Sequence, residues 1–141
     1  MSANDVPGAQ PAGATVHRIR ATVLIAEAER HHRAQLAEML IRRGYLVAFA
    51  TNGEEAFARI EKGGIDILVS AISMPRMDGL ELLRTLRDND MRLPTVVVAS
   101  GDCELDELYL KSAALLGAAA TYIRPLMRDA FLDTLRGLLT V

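Results

Sequence analysis

Between residues 20 and 140, short apolar runs alternate five times with longer segments of helical periodicity. The runs are apolar throughout, as is required of strands that are covered on both faces of a sheet. The predicted strands are residues 21–26, 45–49, 65–70, 95–99 and 119–123. Each is followed by a predicted helix, and these helices cover residues 30–43, 53–62, 80–87, 104–116 and 128–139, with glycines as stop signals after several of them.

This alternation predicts an α/β fold, because a helix between consecutive strands implies right-handed crossovers and a parallel sheet. Five strands favour the flavodoxin-like order 2-1-3-4-5, a doubly wound (βα)5 domain. In that order, ligands bind beyond the carboxyl ends of the strands, where the winding direction reverses. The loops at Glu27, Ala71, Ser100 and Arg124 are therefore the first candidates for a functional site.

Composition limits the domain and its surroundings. Residues 1–18 are rich in Ala, Gly and Pro without a periodic apolar face, so we predict a disordered N-terminal arm before a domain at 19–141. A net charge of −2 gives no global field for nucleic acid or an anionic membrane. There is one cysteine, no signal pattern, and no apolar run near the roughly 18 residues that span a bilayer. We expect a cytoplasmic protein without nucleic-acid or membrane partners.

Several local motifs follow the predicted strands in a fixed order. They are the segments 44–47 (GYLV), 52–56 (NGEEA), 74–79 (MPRMDG) with 80–83 (LELL), and the pairs at 117–118 (GA) and 124–125 (RP). With these motifs on these elements, the chain resembles the receiver domains of two-component response regulators over residues 20–140. The resemblance implies phosphoryl transfer from a partner histidine to an aspartate, assisted by a divalent ion that is usually Mg²⁺.

The resemblance also assigns positions to that chemistry. The family's acidic pair after strand 1 falls on Glu27 and Ala28, the acceptor aspartate falls on Ala71, and the lysine before the strand 5 proline falls on Arg124. A family Ser/Thr hydroxyl follows strand 4. The Ala-Ser-Gly-Asp pattern places it on Ser100, whereas counting from the proline before strand 4 places Ala99 there.

Positions 28, 71 and 124 lack the family's chemistry, and Glu27 is the one carboxylate of the acidic pair that remains. A methyl group at Ala71 can neither attack phosphorus nor ligate a metal, and Glu27 leaves too little charge to hold Mg²⁺ in the usual way. Arginine at 124 keeps a cation but changes its reach and geometry. We therefore predict a pseudo-receiver with no phosphoacceptor, metal or cofactor, which is not an enzyme. We also predict an ion pair between Glu27 and Arg124 across the former pocket, with Ser100 nearby.

The family commonly binds its partners through helix 4, strand 5 and helix 5. Thr121, Tyr122, Arg124 and Arg128 fall on this face, and the family's aromatic switch position falls on Thr121. We predict a stand-alone, phosphorylation-independent adaptor that binds a histidine kinase, another regulator or a second copy of itself as a homodimer. An ordinary solvated helix surface is an equal alternative for the arginines.

Two other functions stay open. A phosphoacceptor regulator could use a relocated aspartate at position 66, 78 or 102, although a strand start, a turn and a helix start account for Asp66, Asp78 and Asp102 respectively. A small-anion or nucleotide sensor could use arginines such as Arg124 and Arg128. The adjacent His31 and His32 point about 100° apart on a helix, which favours solvated surface over a metal site.

Overall fold

A computed structural model describes residues 20–140, so the predicted N-terminal arm lies outside the described residues. Five strands alternate with five helices. The strands are β1 Thr22–Ala26, β2 Leu46–Ala50, β3 Ile67–Ala71, β4 Thr95–Ala99 and β5 Ala120–Ile123. The helices are α1 Arg30–Arg42, α2 Gly53–Glu61, α3 Gly79–Asp88, α4 Asp106–Leu115 and α5 Arg128–Leu139. Within residues 20–140, no helix combines the length and the apolar character needed to cross a bilayer.

The strands form one parallel sheet in the order β2-β1-β3-β4-β5, which confirms the predicted flavodoxin-like α/β fold. The register pairs Ala26 at the end of β1 with Ser70, and Ala71 at the end of β3 with Val98. The carboxyl ends of these strands therefore meet at one edge of the sheet. The loops that follow β1, β3, β4 and β5 open at that edge.

Alternate residues of the central strands pack on opposite layers of helices. On one side, Val23 and Ile25 share a buried cluster with Leu36 of α1 and Phe131 of α5. On the other side, Leu24 packs in a cluster that includes residues of α2 and α3. All five residues of β3 and all five of β4 are buried, which explains why these strands are apolar without alternation.

The loop after β3 is brought close to the strand end by Gly79. A Cβ atom on Gly79 would collide with the carbonyl oxygen of Ala71, so only glycine allows this approach. Asp78 then caps α3 in a capping box: its Oδ1 accepts from the Glu81 N–H over 2.8 Å, and Glu81 Oε1 accepts from the Asp78 N–H over 2.9 Å. The predicted motif at 74–79 thus shapes the entry to α3.

The helix α4 begins at Asp106, later than the predicted position 104. The side chain of Asp106 accepts from the backbone N–H groups of Gly101 (2.9 Å) and Cys103 (3.3 Å), which holds the preceding residues in a turn. The interpretation of Asp102 as a helix-start residue is therefore wrong. Its carboxylate instead accepts a hydrogen bond from Ser100 Oγ over 2.5 Å.

Candidate functional site

A cavity of about 460 Å³ surrounds Ala71 at the carboxyl edge of the sheet. Four of the five predicted pocket positions line it: Glu27, Ala28, Ala71 and Ser100. Arg124 instead lines a neighbouring cavity, beside α1. The ends of β1, β3 and β4 thus share one cavity. Arg124 lies in the neighbouring cavity, which it shares with Ser100.

Ala71 contributes only a methyl group to this cavity. The residue is 8% exposed and packs in an apolar cluster with Ala26, Met74 and Leu82. Its carbonyl oxygen accepts from Ser70 Oγ over 2.8 Å. At the strand end where the family resemblance implies an acceptor carboxylate, the cavity wall is therefore apolar.

Glu27 is a buried carboxylate of the site, at 6% exposure. Its Oε2 accepts from the backbone N–H of Glu29 over 2.9 Å, and its Oε1 lies 3.9 Å from Nδ1 of His32. The guanidinium of Arg33 donates to the Glu27 carbonyl oxygen over 2.9 Å. The Glu27 carboxylate is therefore held by the backbone of the loop between β1 and α1.

Glu29 caps α1, because its Oε1 accepts from the backbone N–H of His32 over 2.7 Å. This hydrogen bond lowers the pKa of the Glu29 carboxyl, opposed by desolvation and assisted by the nearby His32 and His31 side chains. The two histidines therefore lie at the first turn of α1 beside acidic groups. Within residues 20–140, no group of three or more His, Cys, Asp or Glu side chains has an arrangement that could hold a metal ion.

Arg124 is buried and turned toward α1. Its Nη1 donates to Oε1 of Gln35 over 2.7 Å, and its Nη2 is buried without a hydrogen-bond partner among residues 20–140. Burial lowers the pKa of Arg124, while attraction to Glu27 and Glu29 raises it. The guanidinium remains charged, since an arginine pKa stays far above neutrality.

The predicted ion pair between Glu27 and Arg124 is wrong, because no salt bridge joins these side chains in the described part of the chain. The Glu27 carboxylate accepts from the backbone N–H of Glu29, and Arg124 Nη1 donates to the side-chain oxygen of Gln35. The attraction between Glu27 and Arg124 acts at longer range. Sequence reasoning did not identify Gln35, since nothing local to α1 marks a glutamine that faces the β5–α5 loop.

Of the two positions that the sequence leaves open for the hydroxyl, Ser100 carries a side chain that lines the cavity. Ala99 is buried in an apolar cluster with Val97 and Leu110. The Ser100 hydroxyl is hydrogen-bonded to the Asp102 carboxylate. Sequence reasoning also missed Asp106, a buried carboxylate on the cavity wall; its place in the first turn of α4 was the available signal.

The four predicted partner-binding residues do not share one face. Tyr122 points toward α5, where its ring meets Phe131 edge-on at 5.5 Å and its hydroxyl bonds to Thr134. Thr121 is the adjacent strand residue and so faces the opposite side of the sheet. Arg128 is exposed at the start of α5, whereas Arg124 is buried against Gln35.

Large apolar side chains are exposed around α4 and the start of α5. Leu108 and Leu115 on α4 are 57% and 83% exposed, and Met127 before α5 is 74% exposed. Leu105 and Ile123 add smaller exposed areas nearby in the chain. Sequence reasoning expected arginines to mark this surface, and the structure adds exposed apolar residues to it.

The sequence matches the response regulator receiver domain family over residues 23–135. Over 97 residues it is 36% identical to the transcriptional regulatory protein TrcR of Mycobacterium tuberculosis H37Rv, covering 68% of this chain and 36% of TrcR. Over 118 residues it is 33% identical to the response regulator MprA of Mycobacterium ulcerans Agy99, covering 83% of this chain and 49% of MprA. The chain spans about half or less of the length of these relatives.

The fold is similar to that of the chemotaxis protein CheY4 of Vibrio cholerae, with a TM-score of 0.74 at 24% sequence identity. The match covers 86% of this chain and all of the CheY4 chain (100%). A likeness at this identity concerns the fold alone, and it agrees with the observed strand order.

Proposed function

This chain belongs to the response regulator receiver family, and from that premise we propose that it is a pseudo-receiver that signals by binding a protein partner without being phosphorylated. The observation that carries the proposal is the apolar wall at Ala71, where the family's acceptor carboxylate is expected. Phosphoryl transfer needs a nucleophile and charge-neutralising groups in place together. Ala71 offers no side-chain nucleophile at this strand end, and neither Ala28 nor Ala71 supplies a carboxylate that could help to hold a metal ion.

The remaining oxygens of the cavity do not fit Mg²⁺. This ion is commonly bound through one or two carboxylates together with phosphate oxygens, in nearly ideal octahedral geometry. Glu27 has one oxygen engaged by the Glu29 N–H, and Ala28 and Ala71 offer no side-chain oxygen. Asp106 is occupied by two backbone N–H groups of its own loop. These contacts support a receiver that works without the metal.

A relocated acceptor is the competing hypothesis, and the positions of the three aspartates disfavour it. Asp66 accepts from the Thr22 N–H over 2.7 Å at the opposite, amino-terminal edge of the sheet. Asp78 is the N-cap of α3. Asp102 lines the cavity but is bonded to Ser100 and is not placed with a metal site. Each of these three carboxylates accepts a hydrogen bond from a neighbouring group, which gives it a structural role.

The exposed apolar surface of α4 and the start of α5 supports protein binding. We define this surface by Leu105, Leu108, Leu115, Ile123 and Met127. Exposed apolar groups in one region mark sites of protein–protein contact more often than scattered ones do. We propose a histidine kinase, another regulator or a second copy of this chain as the partner, and no nucleic acid.

The test of the proposal combines phosphorylation with partner binding. The purified protein is incubated with acetyl phosphate or carbamoyl phosphate and Mg²⁺, and its intact mass is measured beside a receiver that has the acceptor aspartate. We expect no added phosphoryl group on this chain. A phosphoryl adduct on the wild-type chain would overturn the proposal and favour a relocated acceptor.

Partner binding is tested by cross-linking in native cell extract with Leu115→Glu as the probe variant. Leu115 is 83% exposed, so the substitution leaves the core intact and places a charge on the apolar surface. Ile41→Glu is the matched control, because Ile41 is a 58% exposed residue of α1. We expect Leu115→Glu to abolish the cross-linked product and Ile41→Glu to retain it. Equal products from both variants would exclude this surface.

A further inference from the structure

A second cavity, of about 560 Å³, lies between α1 and the loop that joins β5 to α5. His31, His32 and Gln35 border it from α1, and Arg124 borders it from the loop. Ser100 and its neighbours form the side shared with the cavity around Ala71. This cavity takes no part in the proposed protein contact, because its lining residues lie outside the apolar surface of α4.

Arg124 is unusual because the residue is about nine-tenths buried yet its guanidinium is only partly hydrogen-bonded. The residue is 9% exposed, Nη1 donates to Gln35, and Nη2 has no partner among residues 20–140. Buried charged donors in proteins are nearly always satisfied, and an exception calls for an explanation. The guanidinium is a planar fork that matches two oxygens of one carboxylate or phosphate group.

The side chain of Gln35 supplies a single neutral oxygen to the guanidinium of Arg124. The glutamine is itself exposed on α1, so its carboxamide can turn outward into solvent without disturbing the core. When it does so, Nη1 is released beside Nη2, which has no hydrogen-bond partner among residues 20–140. An anion with two oxygens can then bond to both nitrogens, with charge on both partners of each hydrogen bond.

We propose that this cavity binds a small oxyanion, a carboxylate or a phosphate, which displaces Gln35 and is held by the two terminal nitrogens of Arg124. Nearby negative charges limit the net negative charge that the ligand can carry. Asp102 lines the same cavity, and Glu27 and Glu29 lie within electrostatic range of the guanidinium. A singly charged anion is therefore favoured over a nucleotide that carries several phosphates.

The proposal is tested by titrating the purified protein with sodium acetate and, separately, with inorganic phosphate, while sodium chloride keeps the ionic strength constant. Binding is followed by NMR through the side-chain N–H resonances of Arg124. We expect a saturable shift with at least one of the two anions. Saturation by acetate alone or by phosphate alone supports the proposal and identifies the source of the oxyanion. Saturation by neither overturns it.

Two variants separate this site from unspecific anion binding. Gln35→Glu places a carboxylate of the chain beside the fork, so we expect anion affinity to fall about tenfold or more. Arg84→Gln is the matched control: it removes an exposed arginine of α3 that does not line this cavity, and it should leave affinity unchanged. An affinity of Gln35→Glu equal to that of the wild type would refute the site. The result is independent of phosphorylation and of partner cross-linking, so either proposal can fail without the other.

Discussion

Asp106 Oδ2 lies 2.9 Å from the backbone nitrogen of Gly101, so the first turn of α4 fastens the loop that follows β4. The same oxygen accepts from the Cys103 N–H over 3.3 Å. A Cβ atom on Gly101 would collide with the carbonyl oxygen of Arg124, so the fastened loop also lies against the end of β5. One buried carboxylate thereby positions a wall that the two cavities share.

We expect Asp106→Ala to lower the free energy of unfolding by about 1–3 kcal/mol, since it leaves two backbone N–H groups of the loop without their acceptor. Urea denaturation followed by circular dichroism measures this loss. Asp129→Ala is the control, because the Asp129 side chain is 90% exposed and makes only a surface ion pair with Arg43. Equal losses in both variants would show that Asp106 does not fasten the loop.

Gly79→Ala should be strongly destabilising, because the added Cβ would collide with the Ala71 carbonyl oxygen. This oxygen belongs to the backbone and cannot move away without shifting the end of β3. The matched control is Gly137→Ala in α5, where a Cβ meets no atom within 4 Å. Alanine there should stabilise the helix by about 0.5–1 kcal/mol. Thermal unfolding of both variants checks the contrast. A stable Gly79→Ala protein would mean that the loop after β3 can move away from the strand.

The helix cap at Glu29 predicts a dependence of stability on pH. Because the folded-state pKa of Glu29 lies below its ordinary value of 4.5, its contribution is present above that value and is lost as the pH falls through the folded-state pKa. Glu29→Gln removes this titration. We therefore expect the wild type to be more stable than the variant at neutral pH and the difference to shrink on acidification below 4.5. Urea denaturation at several pH values measures it, and a difference that does not change with pH would contradict the cap.

Restoring the acceptor alone should not restore phosphorylation. Ala71→Asp supplies the nucleophile, but position 28 still lacks a carboxylate and Arg124 still points toward Gln35. We expect no phosphoryl adduct with acetyl phosphate and Mg²⁺ by intact mass. Adding Ala28→Asp should give measurable Mg²⁺ binding by calorimetry, because two further carboxylates then join Glu27. Efficient phosphorylation of the single variant would show that the pocket kept more of its chemistry than we propose.

Local sequence determined much of this protein. Five apolar runs separated by helical segments predicted the strand order, and the motif at 74–79 predicted the turn that leads from β3 into α3. These features can be predicted from the sequence because each depends on residues that are close together in the chain. They are the apolar periodicity, the helix cap and the glycine that a close approach requires. The strand order then places the carboxyl ends of the strands at one edge, which is why Glu27, Ala71 and Ser100 line one cavity.

The tertiary structure decided which groups are bonded to one another at that edge. Arg124 meets Gln35, a residue 89 positions away, and Glu27 is satisfied by its own loop, so the expected ion pair does not form. The direction of a long side chain depends on which acceptor is nearest after the helices have packed, and no local pattern records that distance. Sequence alone thus showed that Ala71 has no side-chain carboxylate that could accept a phosphoryl group. Only the packing of α1 against the β5–α5 loop left one buried nitrogen of Arg124 without a partner among residues 20–140.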